Sequence, residues 1–133
     1  MMLTPKLSAY DPSWPGGYER EAPKLAEALA PIVAIEHVGS TSVPGLVAKP
    51  TIDIAVAVET LTLDAAVWRR MEALGYSYGG DHGLRQHVFR KGASVPWRFL
   101  VHVIEHDGQM WRDYLHFREH LRAHPDDVRA TAT

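Results

Sequence analysis

Cysteine is absent from the 133-residue sequence, which excludes disulfide bonds and thiol chemistry and agrees with a reducing compartment. No apolar run approaches the length that a membrane-spanning helix needs, and the N-terminal residues lack the apolar core of a signal peptide. An excess of basic charge is also lacking, because 14 lysines and arginines stand against 16 aspartates and glutamates. We therefore expect a cytoplasmic protein that binds neither membranes nor nucleic acids in general.

The length and composition are typical of one globular domain spanning residues 1–133. Residues 1–17 contain Pro12 and Pro15 and are predicted to form an N-terminal arm, and residues 125–133 a loose tail. Apolar periodicity predicts helices over residues 18–29, 63–74 and 109–123. Shorter apolar runs predict strands over residues 32–38, 52–58, 76–78, 87–90 and 97–104. The expected fold class is α+β, with a mixed β-sheet flanked by helices.

The most informative stretch begins at the end of the first predicted strand and runs into the second. An apolar strand leads into Gly39, a short polar turn follows, and Asp53 then interrupts a second apolar strand. The hydroxyl-bearing residues of the turn are Ser40, Thr41 and Ser42. Glycine lets the backbone approach a ligand closely, and hydroxyl and backbone N–H groups can hold phosphate oxygens. The pattern predicts a phosphate site in which Asp53 holds a divalent cation, Mg²⁺, against the phosphates.

A plainer interpretation of this stretch is an ordinary turn whose serine and threonine side chains cap the local backbone. That interpretation does not explain Asp53, because burying an unpaired polar group costs about 2–7 kcal/mol and an ionised group costs more. We therefore expect a partner for Asp53. Lys49, which lies just before the strand, is predicted to pair with either Asp53 or a bound phosphate.

The sequence resembles the GrpB family in blocks that follow one another along nearly the whole chain. The blocks are residues 10–15 (YDPSWP), 37–54 (HVGSTSVPGLVAKPTIDI), 85–92 (RQHVFRKG), 102–103 (HV) and 117–122 (FREHLR). The resemblance implies a nucleotidyltransferase-like fold, and the family also occurs fused to dephospho-CoA kinase. Family members usually continue beyond the last block, so the sequence resembles a C-terminally short member.

The nucleotidyltransferase superfamily pattern is a glycine followed by glycine or serine, and then a strand carrying Asp-x-Asp or Asp-x-Glu. Gly39, Ser40 and Asp53 match this pattern, whereas Ala55 stands at the second carboxylate position. Two carboxylates at i and i+2 share one face of a strand and can bridge two Mg²⁺ ions. Because alanine cannot ligate a metal, the resemblance implies a site with one Mg²⁺ ion or with none.

A third group of the site is expected from the last predicted strand, where alternation places Arg98 and His102 on one face. If Asp53 and His102 face the same cleft, His102 is predicted to act as a base or as a metal ligand beside Asp53. The cations expected to neutralise phosphate oxygens are Arg85, Arg90, Lys91 and Arg98.

Two other features have plain and functional interpretations. His116, His120 and His124 stack on one helix face, where two of them could bind Zn²⁺, although a solvated helix face is the favoured interpretation. Trp14 is expected either to pack in the core or to fold with the arm over a cleft. Ser40 lacks the Gly-x-Ser-x-Gly context of an acyl-transfer nucleophile.

Three functions stay open on this evidence. The first is binding of a nucleotide or other phosphorylated metabolite, with Mg²⁺-dependent nucleotidyl or phosphoryl transfer if the protein is an enzyme. The second, which Ala55 favours, is a non-catalytic regulatory or protein-interaction module that has lost the metal dyad. The third, ranked last, is a structural fold in which Lys49 or Arg98 alone satisfies Asp53.

Overall fold

Five strands form one mixed sheet in the computed structural model, which describes residues 7–93 and 96–124. The strands are β1 (Ala34–Val38), β2 (Ile52–Val58), β3 (Ser77–Gly80), β4 (Gln86–Lys91) and β5 (Phe99–Glu105). Their order is β1-β2-β5-β4-β3, in which β2 and β5 are parallel and the other neighbours are antiparallel. The flanking helices are α1 (Trp14–Ala28), α2 (Ala65–Ala73) and α3 (Gln109–Ala123). The predicted α+β class with a mixed sheet is confirmed.

Alternation along β2 gives the sheet two differently covered faces. Ile52 and Ile54 belong to the larger apolar core, which is completed by side chains of α1 and α2. Ala55 and Ala57 point the other way, into a smaller apolar cluster under α3. Asp53 shares this second face, at the N-terminal end of β2. The candidate site therefore lies between the sheet and α3.

The first helix begins at Trp14 rather than at residue 18, so the predicted arm is wrong for residues 14–17. Pro15 lies in the first turn of α1, where its missing N–H has no intrahelical acceptor to lose. Trp14 is buried in the core, and its ring meets that of Tyr10 edge to face at 5.4 Å. Of the two interpretations of Trp14, core packing is confirmed.

The predicted strand over residues 52–58 and the predicted helix over residues 109–123 are present with those ends, and the remaining elements have shifted ends. Helix α2 begins at residue 65 because Asp64 caps it, accepting the Val67 N–H at 3.0 Å. Strand β3 begins at Ser77, and Tyr76 is a buried core residue instead. The predicted tail, residues 125–133, lies outside the described residues. Among the helices that are described, none is long and apolar enough to cross a membrane.

Candidate functional site

The turn after β1 brings its backbone against the carboxylate of Asp53. Val38, the last residue of β1, is the register partner of Asp53, so the chain leaves the sheet directly beside that side chain. Gly39 has φ +72° and ψ −174°, a conformation that is essentially restricted to glycine. A Cβ atom on Gly39 would lie 2.6 Å from Asp53 Oδ2. Both the turn and the close approach of the carboxylate therefore require glycine here.

One turn of 3-10 helix follows Gly39, and its side chains largely hold the turn itself in shape. Ser42 Oγ donates to the Gly39 carbonyl oxygen at 2.6 Å, and Thr41 Oγ1 lies 3.0 Å from His37 Nε2. Thr41 and Ser42 are both buried. Ser40 is more exposed and lines the neighbouring cavity. The prediction that all three hydroxyls offer donors to a ligand is therefore wrong for Thr41 and Ser42.

Two arginines of α3 hold the backbone on either side of this turn. Arg122 donates to the Ser42 carbonyl oxygen through Nε at 3.0 Å and Nη2 at 2.8 Å. Arg118 Nη1 donates to the His37 carbonyl oxygen and to Glu36 Oε2, each at 3.0 Å. The sequence block FREHLR, which contains both arginines, was the one available signal of this role. The turn is thus fixed by bonds from a helix about 80 residues away in sequence.

Asp53 finds its partner on the adjacent parallel strand. Asp53 Oδ1 lies 3.1 Å from His102 Nε2, and both side chains are largely buried. Because a carboxylate only accepts, Nε2 donates to Asp53, and Nδ1 lies 3.3 Å from the Tyr114 hydroxyl oxygen. Burial, and then the charge of Asp53, raise the pKa of Tyr114, so this hydroxyl stays protonated. The structure brings Asp53 and His102 together and adds Tyr114, which no motif indicated.

A cavity of about 540 Å³ opens beside these groups. Its lining residues are Gly39, Ser40, Asp53, Leu84, Met110, Asp113, Tyr114 and Phe117. Leu84 and Phe117 are 55% and 48% exposed, although both side chains are large and apolar. Asp53 and Asp113 contribute carboxylates, and within the described part of the chain no lysine or arginine lines the cavity. The cavity therefore joins an acidic end to an apolar wall.

Arg85 and Lys49 do not reach this cavity. Arg85 Nε donates to Glu105 Oε1 at 2.6 Å, at the C-terminal end of β5, whereas Asp53 lies beside the N-terminal end of that strand. Lys49 is exposed, and the partner of Asp53 is His102 instead. The predicted pairing of Asp53 with Lys49 is therefore wrong, and so is the expectation that Lys49 or Arg98 alone satisfies Asp53.

Lys91 and Arg98 lie on the side of the sheet that α1 covers. Lys91 is the register partner of core residue Phe99, and its Nζ pairs with Glu21 Oε2 at 2.7 Å. Arg98 precedes β5, so strand alternation does not determine its direction, and it lines a separate small cavity. The prediction that Arg98 and His102 share one face is wrong for this reason.

The second carboxylate position of the nucleotidyltransferase pattern is part of the core. Ala55 is fully buried under α3, packed with Val38, Ala57, Ile104 and Trp111. In the part of the chain that is described, no group of three or more His, Cys, Asp or Glu side chains could hold a metal ion. The zinc candidates His116 and His120 are exposed on α3. A Mg²⁺ ion at Asp53 would therefore depend on oxygens of a ligand and of water.

His37, under the turn, gives the fold a predictable pH dependence. Burial, and then Arg122 and Arg118, lower the pKa of His37 to about 4. The unfolded chain takes up this proton near pH 6.5 and the folded chain only near pH 4, so stability rises with pH across that window. We expect His37→Gln, which keeps a hydrogen-bonding group for Thr41, to flatten this rise by on the order of 2 kcal/mol. Urea unfolding of the original chain and of His37→Gln, carried out from pH 4 to 7, measures this dependence of stability on pH.

The exposed His116 provides the control for this prediction, because His116→Gln makes the same substitution on the surface of α3. That variant should keep the pH profile of the original chain. Equal flattening in both variants would contradict the assignment of the pH dependence to His37.

Comparison with known proteins agrees with this architecture. A family model described as "GrpB protein" matches residues 4–132. A UPF0157 protein of Streptomyces coelicolor is 40% identical over 91% of this chain and 63% of its own length. A crystal structure of a conserved protein GrpB from Enterococcus faecalis superimposes with a TM-score of 0.88, at 35% identity, covering 96% of this chain and 78% of that one.

The curated relatives are longer than this chain. The first relatives matched are covered over 63%, 36% and 52% of their own lengths. A protein named dephospho-CoA kinase, from Mycolicibacterium paratuberculosis, is 31% identical over 84% of this chain, which corresponds to 27% of that protein. The chain therefore matches only part of the length of each of these proteins.

Proposed function

The chain belongs to the GrpB family, and we propose that the cavity beside Asp53 binds a nucleotide or other phosphorylated metabolite together with a divalent cation. The observation that carries the proposal is the contact between Gly39 and Asp53. A glycine-restricted backbone conformation places the turn against a largely buried carboxylate, and both face the same cavity. A glycine turn next to a carboxylate is the arrangement that a metal–phosphate complex needs.

The charges of the cavity make a bound cation necessary for an anionic ligand. Asp53 and Asp113 would repel phosphate oxygens, and the described lining supplies no lysine or arginine to offset them. A Mg²⁺ ion on Asp53 Oδ2 would reverse the local charge and bind phosphate oxygens directly, while Oδ1 keeps its bond to His102. Phosphate binding at this site is therefore expected to depend on the metal.

The apolar wall suits the other end of such a ligand. Leu84, Met110 and Phe117 line the cavity, and two of them are about half exposed. When a ligand covers large apolar side chains and removes them from water, the complex is stabilised by roughly 25 cal/mol per Å² of apolar surface buried. A nucleoside, or another flat apolar group attached to the phosphates, would cover this wall.

Two classes of function fit this binding mode. In the first, the protein is a nucleotidyltransferase or phosphotransferase in which His102 acts through its bond to Asp53, because both of its ring nitrogens already have partners, Asp53 and Tyr114. In the second, it is a binding or regulatory module without turnover, and the burial of Ala55 favours this class because a second metal-binding carboxylate is missing. The match to a protein named dephospho-CoA kinase makes dephospho-CoA a ligand to test in either class.

Thermal unfolding in the presence of candidate ligands tests the proposal. The panel contains the four ribonucleoside triphosphates, pyrophosphate and dephospho-CoA, each with and without Mg²⁺. A ligand at 100 times its Kd stabilises the folded state by about 2.7 kcal/mol, which raises Tm by on the order of 10 °C for a domain of this size. We expect such a shift for at least one compound with Mg²⁺, and we expect Asp53→Asn to abolish it.

Asp113→Asn is the matched control, because it removes a carboxylate from the same cavity without touching the turn. Its Tm shift should equal or exceed that of the original chain, since one repulsive charge is lost. A shift that persists in Asp53→Asn would contradict the assigned metal ligand, and the absence of any shift across the panel would contradict the proposed function.

A further inference from the structure

A second, smaller cavity lies on the opposite face of the sheet from Asp53. It has a volume of about 190 Å³ and lies where the start of α1 meets the N-terminal end of β2. The buried residues Trp14, Gly17 and Ile52 form its floor. Ile52 and Asp53 are neighbours on β2 and point to opposite faces, so the sheet separates the two cavities.

Two arginines from distant parts of the chain line this second cavity. The Arg20 side chain folds back along α1, since a Cβ on Gly16 would lie 3.1 Å from Arg20 Nη1. The Arg98 backbone is held on both sides, because its N–H donates to Lys91 at 2.8 Å and its carbonyl accepts from Ile52 at 2.9 Å. Neither arginine forms an ion pair with a carboxylate among the described residues.

The remaining polar groups leave this cavity positively charged. Asp11 is its acidic lining residue, and Oδ1 of Asp11 accepts the Ser13 N–H at 2.8 Å, a bond that lowers the pKa of the carboxyl. Ser13 also lines the cavity, and its side chain, which makes no capping bond to α1 in the described structure, also helps to lower the pKa of Asp11. Two guanidinium groups therefore face one carboxylate, and a hydroxyl stands beside them.

We propose that Arg20 and Arg98 bind a tetrahedral oxyanion, either inorganic phosphate or the phosphoryl group of a phosphomonoester. Guanidinium groups bind phosphate oxygens through paired N–H donors, and the two side chains supply such donors from two directions. A cavity of about 190 Å³ is smaller than the usual pocket for a whole nucleotide, so it suits one phosphoryl group. This site does not depend on the function proposed for the Asp53 cavity.

Titration of inorganic phosphate and of methyl phosphate into the full chain tests this site. The amide resonances of Ser13, Trp14, Gly16 and Gly17 are followed by NMR at low ionic strength, where charge interactions are least screened. We expect saturable shifts with one or both compounds, and a Kd at least tenfold weaker in Arg20→Gln and in Arg98→Gln. Tighter binding of methyl phosphate would assign the site to phosphomonoesters, and tighter binding of inorganic phosphate would assign it to the free ion; either result supports the proposal.

Arg85→Gln serves as the control. It removes an exposed arginine at the far end of β5, so it should bind phosphate like the original chain. Thermal melts of the arginine variants establish that they are folded. The proposal is overturned if neither compound shifts the amide resonances that are followed saturably, or if Arg85→Gln weakens binding as much as Arg98→Gln does.

Discussion

Gly39→Ala is expected to lower the free energy of unfolding by about 3 kcal/mol and to abolish ligand binding beside Asp53. A backbone conformation restricted to glycine costs about 1–3 kcal/mol for any other residue. Overpacking adds a similar amount, because the new Cβ would lie 2.6 Å from Asp53 Oδ2 and would push the carboxylate away from His102. Urea unfolding measures the stability, and the ligand panel with Mg²⁺ measures the binding.

Gly45 offers a matched control for this effect. It also has a positive φ, +86°, but nothing lies within 4 Å of an added Cβ. Gly45→Ala should therefore cost only the backbone strain, about 1 kcal/mol, and should leave ligand binding intact. The double variant Gly39→Ala/Asp53→Gly should be more stable than the two single effects predict, because the clash disappears. If Gly39→Ala and Gly45→Ala lower the free energy of unfolding equally, the contact with Asp53 does not affect stability, which contradicts the prediction.

Lys91→Met is expected to lower the free energy of unfolding by about 3 kcal/mol without weakening ligand binding. Glu21 lies on the buried face of α1, and its Oε2 accepts from Lys91 Nζ and from the Tyr76 hydroxyl, each at 2.7 Å. Removing one member of a buried ion pair leaves an uncompensated charge and costs about 3–5 kcal/mol. We place the effect at the lower end because Tyr76 and Lys24 still contact the carboxylate. Denaturant unfolding measures the stability, and the ligand panel measures the binding.

The pH dependence of Lys91→Met gives a second check. Burial alone would raise the pKa of Glu21, but hydrogen bonds from Lys91 and Tyr76 and the charge of Lys91 hold it below its ordinary value. The stabilisation by this pair is therefore present at neutral pH and is lost as pH falls through the lowered pKa. In Lys91→Met, Glu21 takes up a proton more readily. The difference in the free energy of unfolding between this variant and the original chain should therefore shrink as the pH falls.

The double variant Glu21→Leu/Lys91→Met is the control for this pair, because it removes both charges and should recover most of the lost stability. If Lys91→Met instead loses ligand binding and keeps its stability, the result would support the phosphate-binding role that the sequence predicted for Lys91.

Much of the fold could be predicted from apolar patterning. The run from Ile52 to Val58 predicted a central strand, and in the structure it lies between β1 and β5. The position of Gly39 relative to Asp53 indicated a close approach of the turn to the carboxylate, and the structure places those atoms together. These features depend on neighbours in sequence and on strand alternation, which a sequence displays directly.

The positions of the cations could not be predicted in the same way. Lys91 and His102 lie on neighbouring strands, and only the register of β4 against β5 determines which face each side chain occupies. Arg98 stands one residue before β5, where alternation no longer applies. The bonds from Arg118 and Arg122 of α3 to the backbone around the turn could not be predicted, because they depend on how the helix packs against β1. Long-range packing determined each of these outcomes.

The metal requirement is the central claim, and isothermal titration calorimetry of the unmodified chain tests it most directly. Each ribonucleoside triphosphate, and dephospho-CoA, is titrated once in excess Mg²⁺ and once in EDTA. We predict saturable binding of at least one compound in Mg²⁺ and a Kd at least tenfold weaker in EDTA, because Asp53 and Asp113 would then repel the phosphates. Equally tight binding in EDTA would contradict the account.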